Sequence, residues 1–569
     1  MSIRPDNLTL GKLLQGRLFR IPDYQRAYSW ETKQRKDLFR DIQKLAAMKN
    51  SDRHHFMSTV VCLQTAEKED VGADEFGIFQ VVDGQQRLTT LIILLKAIAK
   101  KLSSGSDIEE KESSKLSELL VKENGRLVLL QTNHDSKCLF HDYLEKGEIP
   151  SEDNVETLAD RNMICAFKEC RDFVEEWNTE TLQLLKLVKN RLDFIFYVLE
   201  DEESVHTTFE VLNSRGLEVD WLDKCKSMLM GIAFEKLKDA SQEYIQELRD
   251  YWSKIYRTIG LKKIQGQEIL KFAATLEDTN GGSKVRSAES SIQFFRERCE
   301  NEPKNVLDVS RKFLSIAEQL EKFVSNPRLK AVNKISHARL LGVSIMLNSS
   351  LKTDKRREDI IKEWEKVTFR IFGLYRKDAR TKVGEYVRLS REISSASYSL
   401  CASEIIEKIK ELGIGYPADK AVEELKESNC YDGWEDELVY FLYRYEEYLV
   451  NQCGGSVSEE TWSQVWNCSP TKTIEHIHPQ NVNERWRGKF GTKKDFVKTQ
   501  TQRLGNLIIL PPQVNSRASD KPFLQKKEIY SKHRHLKLID EIIFKEDWNK
   551  EAMEERENRL LDWAAKEWG

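Results

Sequence analysis

The spacing of hydrophobic residues changes twice along this 569-residue chain, and these changes constrain its fold more than any other feature. Up to about residue 235, β-branched runs that predict strands, such as 54–64 and 76–83, alternate with helical runs such as 86–102. From there to about residue 450 the apolar residues recur mostly at helical spacing. The Gly/Ser-containing stretch 453–460 then ends the helical region. A chain of this length is too long for one hydrophobic core, so these changes mark domain boundaries.

The sequence therefore predicts an α+β, predominantly helical protein with three domains. Residues 1–235 form a mixed α/β domain, residues 236–452 form a helical connecting region, and residues 453–569 form a different C-terminal domain. Within the last domain, 472–477 and 506–510 predict two short strands, and 519–530 predicts a helix with Ser519 or Asp520 as its N-cap. The predicted order there is strand, loop, strand, helix.

Composition excludes several classes of protein. The ten cysteines contain no C-x-x-C pair, so a disulfide framework and a thiolate zinc site are not expected. The longest apolar run, 91–99, is too short to span a bilayer, and the first residues show no apolar signal region. We expect a cytoplasmic protein with no membrane partner. The net charge of -3 does not indicate a binding partner.

The sequence "VVDGQQRLTTL" (81–91) places Asp83 and Gly84 between a predicted strand and a predicted helix. Free backbone N–H groups and the positive end of the helix dipole favour an anion at such a turn. Gln85, Gln86 and Arg87 add hydrogen-bond donors, and arginine can hold phosphate oxygens in a bidentate manner. A turn that only packs the strand against the helix remains the alternative.

Two other stretches carry residues of the same kind. In "IPDYQRAYSW" (21–30), an aromatic side chain, Tyr24, precedes the donors Gln25 and Arg26. In "VLNSRGLEV" (211–219), Asn213 and Arg215 stand beside a glycine, which is consistent with an anion clamp. An ion pair between Arg215 and Glu210 is the alternative.

The C-terminal stretch "TKTIEHIHPQN" (471–481) combines a carboxylate, histidines and amides, which can supply a general base and a site for a hard cation. Oxygen ligands favour Mg²⁺ or Mn²⁺ over Zn²⁺. A zinc site of four histidines (His476, His478, His533 and His535) is the rival. Residues 471–535 contain 14 Lys or Arg against 5 Asp or Glu, which indicates a nucleic-acid surface or a solvated basic face.

The three N-terminal stretches together resemble the DGQQR-type domains of the ParB/sulfiredoxin-like superfamily, which form the N-terminal half of GmrSD-like type IV restriction proteins. The matching residues are Tyr24, Gln25, Arg26, Tyr28, Trp30, Asp83, Gly84, Gln85, Gln86, Arg87, Asn213, Arg215, Gly216, Asp223 and Lys226. The resemblance implies a nucleotide-binding domain that controls a nuclease, with NTP hydrolysis left open. It also implies that the nucleotide contacts lie among Tyr24 to Arg26, Asp83 to Arg87, Asn213 and Arg215.

The C-terminal stretch, with "LGNLIIL" and "VNSRASDKPF" after it, resembles the HNH, or His-Me finger, endonuclease domain with its ββα-metal fold. The resemblance implies that His476 is the general base and that Glu475 and Asn515 are ligands of Mg²⁺ or Mn²⁺. Asn506 would brace the loop between the strands, and His478 would only support the site. Lys521 and Lys526 are the predicted contacts to DNA phosphate.

The sequence thus predicts a modification-dependent DNA endonuclease of a phage-defence system, with DNA and an NTP as partners. One alternative is a nucleotide-gated DNA-binding sensor whose HNH domain is inactive, and another is an NTPase with DNA as its effector. The DNA modification, the preferred NTP, nicking as opposed to double-strand cleavage, and self-association are left open.

Overall fold

The computed structural model divides the chain into two units, Met1–Lys271 with Ser287–Glu318, and Phe272–Arg286 with Gln319–Gly569. The predicted division into three domains at residues 235 and 452 stays a prediction. The residues that the structure describes are 6–48, 54–122, 127–132, 138–199, 220–237, 242–260, 264–278, 282–329, 331–348, 351, 354–395, 400–458, 463, 465, 468–491, 493–533 and 535–569.

A mixed β-sheet lies at the centre of the first unit. The strands of this unit are β1 (Asp6–Thr9), β2 (Arg17–Arg20), β3 (His55–Val71), β4 (Asp74–Asp83), β5 (Val121–Lys122), β6 (Leu127–Val128), β7 (Leu130–Gln131) and β8 (Leu192–Leu199). Within the described residues, six of them form one sheet in the order β1-β8-β3-β4-β2-β7. Strand β3 pairs antiparallel with β4 and parallel with β8, whereas β2 pairs parallel with both β4 and β7. The strands predicted at 54–64 and 76–83 are confirmed.

Helices lie between the strands along the chain, and further helices follow the last strand of this sheet. The described helices in the first 325 residues are Leu10–Leu14, Thr32–Ala47, Gln85–Leu102, Asp107–Leu120, Leu139–Lys146, Leu158–Glu175, Thr181–Arg191, Trp221–Lys236, Gln242–Ile259, Gly266–Glu277, Ala288–Asn301 and Asn305–Ser325. Helix Gln85–Leu102 packs against helix Leu158–Glu175. Leu88, Leu91 and Ile92 in the first turns of helix Gln85–Leu102 are completely buried. Their burial stabilises the beginning of the helix next to the end of β4.

The second unit is almost entirely helical. Its described helices from residue 336 onward are Ser336–Leu347, Asp354–Thr368, Val383–Ser394, Ala402–Leu412, Ala418–Leu425, Glu435–Gln452, Pro470–Thr473, Lys494–Thr501, Pro512–Ala518, Phe523–Ser531, Asp540–Ile543 and Lys550–Glu567, with a π-helix at Phe369–Leu374. Strands β9 (Ile474–His476) and β10 (Leu507–Ile509) form a short antiparallel pair. The chain is α+β and predominantly helical, as predicted.

The C-terminal helix does not begin where the sequence predicted. A helix already occupies Pro512–Ala518, and Ser519 ends it with a backbone φ of +43°. The next helix therefore starts at Phe523, and its N-cap, Pro522, lies two to three residues after the predicted caps, Asp520 and Ser519. No helix in the described part of the chain is long and apolar enough to cross a membrane.

Candidate functional site

The imidazole of His476 lies at the end of β9, opposite Leu507 of β10. It is 8% exposed, and its Nε2 lies 2.9 Å from the Oε1 of Gln502 and 3.1 Å from the amide nitrogen of Gln480. The Gln502 oxygen can only accept, and rotation of the Gln480 amide by 180° presents an oxygen at the same place. When Nε2 carries the proton and donates it to the Gln502 oxygen, Nδ1 is the basic nitrogen.

Burial lowers the pKa of His476 to about 4, and the nearby charge of Lys526 acts in the same direction. The hydrogen bond with Gln502 opposes this shift but is the smaller effect. The imidazole is therefore neutral at neutral pH, which is the form that a general base requires.

A loop outside the predicted motif forms one wall of this site. The ring of Tyr431 meets the ring of His476 edge to face, with 4.6 Å between the centroids. The side-chain oxygen of Asn429 accepts hydrogen bonds from the backbone N–H groups of Tyr431 and Asp432, both at 3.0 Å, which fixes the turn. The N–H of Cys430 donates to the carbonyl of Gln502 at 3.0 Å. Sequence reasoning missed Tyr431 and Gln502 because neither belongs to the motif "EHIHPQ".

Glu475 forms a buried ion pair with Lys526. Its Oε1 accepts a hydrogen bond from the Nζ of Lys526 at 2.6 Å and another from the hydroxyl of Tyr530 at 2.8 Å. The same Nζ also donates to the main-chain carbonyl of His476 at 2.8 Å. Burial raises the pKa of Glu475 and lowers that of Lys526, and their mutual attraction opposes both shifts. The pair joins β9 to helix Phe523–Ser531.

The predicted DNA contact through Lys526 is wrong, because this side chain is fully buried and cannot reach a phosphate in solution. Lys521, the other predicted contact, is exposed. Further exposed basic side chains from the same segment are Arg485, Arg487, Lys493, Lys494, Lys498 and Arg517. These side chains provide a surface that suits a polyanion.

Asn506 uses its side-chain amide to hold the loop after β9. Its oxygen accepts hydrogen bonds from the N–H of His478 at 2.8 Å and from the indole N–H of Trp548 at 3.0 Å. Its nitrogen donates to the carbonyls of His478 and Thr501 at 3.0 and 2.9 Å. Asn506 is completely buried, so it can position the loop but cannot contact DNA.

Asn515 approaches β9 from helix Pro512–Ala518. Its amide nitrogen donates to the carbonyls of Lys472 and Ile474 at 2.8 and 3.0 Å, so the amide oxygen is the atom left for a cation. The oxygen of Asn515 fits a hard cation such as Mg²⁺. Glu475 fits less well, because Lys526 already balances its charge and occupies Oε1.

His478 belongs to the core. It is 0% exposed, stacks on Phe490 with 4.1 Å between ring centroids, and meets Trp486 edge to face at 4.9 Å. Among the residues that the structure describes, the one group of three or more His, Cys, Asp or Glu ligand atoms within 4.8 Å of each other is His141, Asp142 and Glu145. The four-histidine zinc site is therefore not assembled.

The "DGQQR" turn opens onto a cleft of about 640 Å³, which we call the Asp83 cleft. Gly84 has a φ of +93°, and a Cβ there would lie 3.1 Å from the carbonyl oxygen of Thr59, so glycine is required. Five charged side chains line the cleft: Arg26, Arg87, Asp37, Asp41 and Asp83. Burial raises the pKa of Asp83 and lowers that of Arg26, and the attraction between the two opposes both shifts.

The glutamines of this region mainly hold the loop 22–30 in place. Gln25 donates to the carbonyl of Val82 at 2.7 Å and accepts from the amide of Gln85 at 2.9 Å. The oxygen of Gln86 accepts from the backbone N–H of Ser29 at 2.8 Å, and its nitrogen donates to the carbonyl of Ala27 at 3.1 Å. The predicted ligand contacts of these glutamines thus compete with bonds inside the protein.

Of the other predicted nucleotide contacts, Arg87 lines the Asp83 cleft and Tyr24 does not. Arg87 is exposed, and its guanidinium lies 5.9 Å from the ring centroid of Trp30. Tyr24 packs against a small cluster that includes Val82 and Leu199 and does not line the Asp83 cleft. Asn213 and Arg215 lie outside the described residues.

Comparison with known families agrees with this geometry. Residues 10–230 match the model of the GmrSD restriction endonuclease N-terminal domain, and residues 417–563 match that of the GmrSD restriction endonuclease C-terminal domain. The second match includes the Tyr431 loop and the strand pair that carries His476. No curated protein matched the chain.

The two matched domains define the class of protein, a DNA endonuclease of the restriction and defence type. The buried imidazole of His476 and the exposed basic surface are consistent with this class. Together the two matches cover about two thirds of the chain. The chain belongs to the GmrSD restriction endonuclease family.

The contact between Gln502 and His476 gives a first prediction. We expect Gln502→Leu to lower the single-turnover rate of DNA cleavage about fivefold, because one buried hydrogen bond contributes roughly 1 kcal/mol. The affinity for DNA should be unchanged, as measured by fluorescence anisotropy. The exposed Gln513→Leu serves as the control. An unchanged rate in Gln502→Leu would show that Gln502 does not orient the imidazole.

Proposed function

We propose that this protein is a modification-dependent DNA endonuclease that acts in the cytoplasm against phage DNA, under the control of a nucleotide bound in the Asp83 cleft. The single observation that carries the nuclease part of the proposal is His476, a neutral, buried imidazole fixed by Gln502 and Tyr431. It lies in the domain that also presents the exposed basic side chains of the segment 471–535.

In the proposed reaction, Nδ1 of His476 takes a proton from water as the water attacks a phosphodiester bond. Gln502 holds the opposite ring nitrogen, so the imidazole keeps the tautomer that can accept this proton. Mg²⁺ or Mn²⁺, when bound, would stabilise the charge that develops on the phosphate. Asn515 and the less engaged oxygen of Glu475 are the residues that would hold it. The exposed lysines and arginines bind the DNA backbone.

In the Asp83 cleft, we assign the phosphates of an NTP to Arg26, Arg87 and the free N–H groups at the start of helix Gln85–Leu102. The two arginines offset the negative charge of Asp83, which would otherwise repel a phosphate. The other two carboxylates of the cleft are paired with cations on their own helix, Asp37 with Arg40 and Asp41 with Lys44. The cleft volume lies within the usual range for a small-molecule site.

We expect Arg87→Ala to weaken NTP binding by about 10- to 100-fold, because hydrogen bonds to charged groups contribute about 1.5–3 kcal/mol. Isothermal titration with a non-hydrolysable NTP measures this effect. Arg171→Ala, an exposed arginine on helix Leu158–Glu175, is the matched control and should bind like the unaltered protein. Equal affinities for the two variants would contradict the assignment of phosphate to this cleft.

The experiment that tests the whole proposal compares the cleavage of modified and unmodified phage DNA by the purified protein, with and without each NTP. We expect cleavage of the modified DNA to require Mg²⁺ or Mn²⁺ and to change with the NTP. Equal cleavage of both DNAs would remove the modification dependence, and indifference to every NTP would remove the nucleotide control.

The buried pair between Glu475 and Lys526 favours a second candidate, a nucleotide-gated DNA-binding sensor without cleavage activity. A carboxylate already neutralised by lysine is a weaker ligand for a divalent cation. In this case the protein would bind DNA and NTP but would cleave no DNA in either Mg²⁺ or Mn²⁺.

A further inference from the structure

A second cavity lies in the N-terminal unit, apart from the Asp83 cleft. It has a volume of about 590 Å³ and lies among the loop 23–29 and the helices Leu158–Glu175, Trp221–Lys236 and Gln242–Ile259. We call it the Lys226 cavity. It shares no lining residue with the Asp83 cleft. Its size is that of a site for a nucleoside-sized molecule.

The wall of the Lys226 cavity contains ionisable groups that are buried in the protein. Lys226 is 2% exposed, and its Nζ lies 5.6 Å from the ring centroid of Tyr256, whose hydroxyl donates a hydrogen bond to Asp223. Burial lowers the pKa of Lys226 to about 8, although Asp223 and Asp23 oppose the shift. Buried charges are costly, and a purely structural cluster would be covered by packed side chains. Here the cluster instead borders the Lys226 cavity, which is typical of a ligand site.

The charges of the wall indicate the chemistry of the ligand. Four carboxylates, Asp23, Asp220, Asp223 and Asp250, line the cavity with three cations, Lys226, Arg249 and Arg257. Two of these cations are already paired, Arg249 with Asp23 at 2.6 Å and Arg257 with Glu156 at 3.5 Å. An excess of carboxylate repels phosphate but accepts hydrogen bonds from amino and hydroxyl groups. The rings of Trp252, Tyr28 and Tyr256 offer apolar faces to a flat heterocycle.

Residues of the loop 22–30 line both cavities. Gln25, Arg26 and Trp30 line the Asp83 cleft, whereas Asp23, Tyr28 and other residues of the loop line the Lys226 cavity. Arg26 is attracted to Asp83 on one side and to Asp223 on the other. A ligand that contacts Asp223 changes the balance of these two attractions. Because the loop that carries Arg26 also lines the Lys226 cavity, an occupant of that cavity can act on Arg26.

We propose that the Lys226 cavity binds an uncharged, donor-rich heterocycle of the size of a nucleoside, and that its occupancy changes the affinity of the Asp83 cleft for nucleotide through Arg26. The coupling, but not the cavity itself, rests on the proposed nucleotide function of the Asp83 cleft. The ligand is either a free nucleoside or a base of single-stranded DNA, since both present the same donors.

The test uses the full-length protein and isothermal titration with adenosine, guanosine, cytidine and thymidine, and separately with a single-stranded DNA decamer. Ser253→Phe fills the cavity, and Asp250→Asn removes an exposed carboxylate of its wall. Lys254→Ala, at an exposed neighbouring position that does not line the cavity, is the control. We expect Ser253→Phe to weaken binding at least tenfold, Asp250→Asn to weaken it several-fold, and Lys254→Ala to leave it unchanged. A thermal melt checks that each variant is folded.

A response to the nucleosides assigns the ligand to a free nucleoside, and a response to the decamer alone assigns it to DNA. Failure of all five probes to bind, or binding that neither cavity variant weakens, would overturn the proposal. These titrations contain no triphosphate, so they are independent of the nuclease and of nucleotide control.

The coupling is measured by titrating a non-hydrolysable NTP at saturating nucleoside or decamer. We expect the NTP affinity to change at least fivefold, which is the usual lower range of coupling between two sites. The Arg26→Lys variant should still bind the nucleoside or decamer in the Lys226 cavity, but its affinity for the NTP should no longer change with that ligand. An NTP affinity that is independent of the first ligand would refute the coupling, whereas an NTP that does not bind at all would refute the proposed function of the Asp83 cleft.

Discussion

His476→Ala is expected to lower the rate of metal-dependent DNA cleavage by roughly 10²- to 10⁴-fold, the usual contribution of a positioned general base. The substitution removes the basic nitrogen but leaves the basic surface that binds DNA. Single-turnover cleavage of a labelled substrate measures the rate, and gel shift measures DNA binding, which should be unchanged.

His535→Ala is the matched control, because His535 is an exposed histidine of the same C-terminal segment. It should cleave like the unaltered protein. If His476→Ala retained full divalent-dependent cleavage, then His476 would not be the base and the proposed nuclease site would be wrong.

Lys526→Met is expected to lower the free energy of unfolding of the C-terminal unit by about 3–5 kcal/mol. The variant leaves the carboxylate of Glu475 buried without its cation, and the carbonyl of His476 loses a hydrogen bond. Denaturation in urea, followed by tryptophan fluorescence, measures the loss. The exposed Lys532→Met is the control and should change stability by less than about 0.5 kcal/mol.

The double variant Glu475→Gln, Lys526→Met separates the ion pair from simple packing. Because no charge is left buried without a partner, we expect it to be more stable than Lys526→Met alone. If the double variant were less stable than Lys526→Met by the full cost of Glu475→Gln, the two side chains would not interact.

Much of the fold followed from local patterns, because they report what each segment buries. Strands β3 and β4 and the helix after "DGQQR" were predicted from apolar spacing and turn residues. The start of the last predicted helix was not, since Ser519 has a positive φ, a backbone conformation that is uncommon for serine and that its sequence context does not indicate. Spacing alone could not show that another helix ends there.

The candidate sites show the same limit more clearly. The motif "EHIHPQ" pointed to His476, but the residues that hold its ring come from other elements, Tyr431 from 45 positions earlier and Gln502 from 26 positions later. Lys526 looked like a DNA contact because basic residues surround it in the sequence. Only the packing of its helix against β9 shows that Lys526 pairs with Glu475 instead. The motif glutamines similarly predicted ligand contacts, while the structure shows the loop bonds that engage them.

The double anchoring of β9 has a consequence for regulation. Lys526 fixes the carbonyl of His476 from one side, and the side chain of Asn506 fixes the loop immediately after it through two hydrogen bonds to the backbone of His478. Two further hydrogen bonds hold Asn506 itself, with Thr501 and Trp548. If His476 is the base, as proposed, it is already held in place before any DNA arrives, so little reorganisation remains for an activating signal to drive. A nucleotide that switches this enzyme on would therefore be expected to change which DNA reaches the base, and not how the base is set. In kinetic terms, such a switch would act on the KM for DNA far more than on kcat.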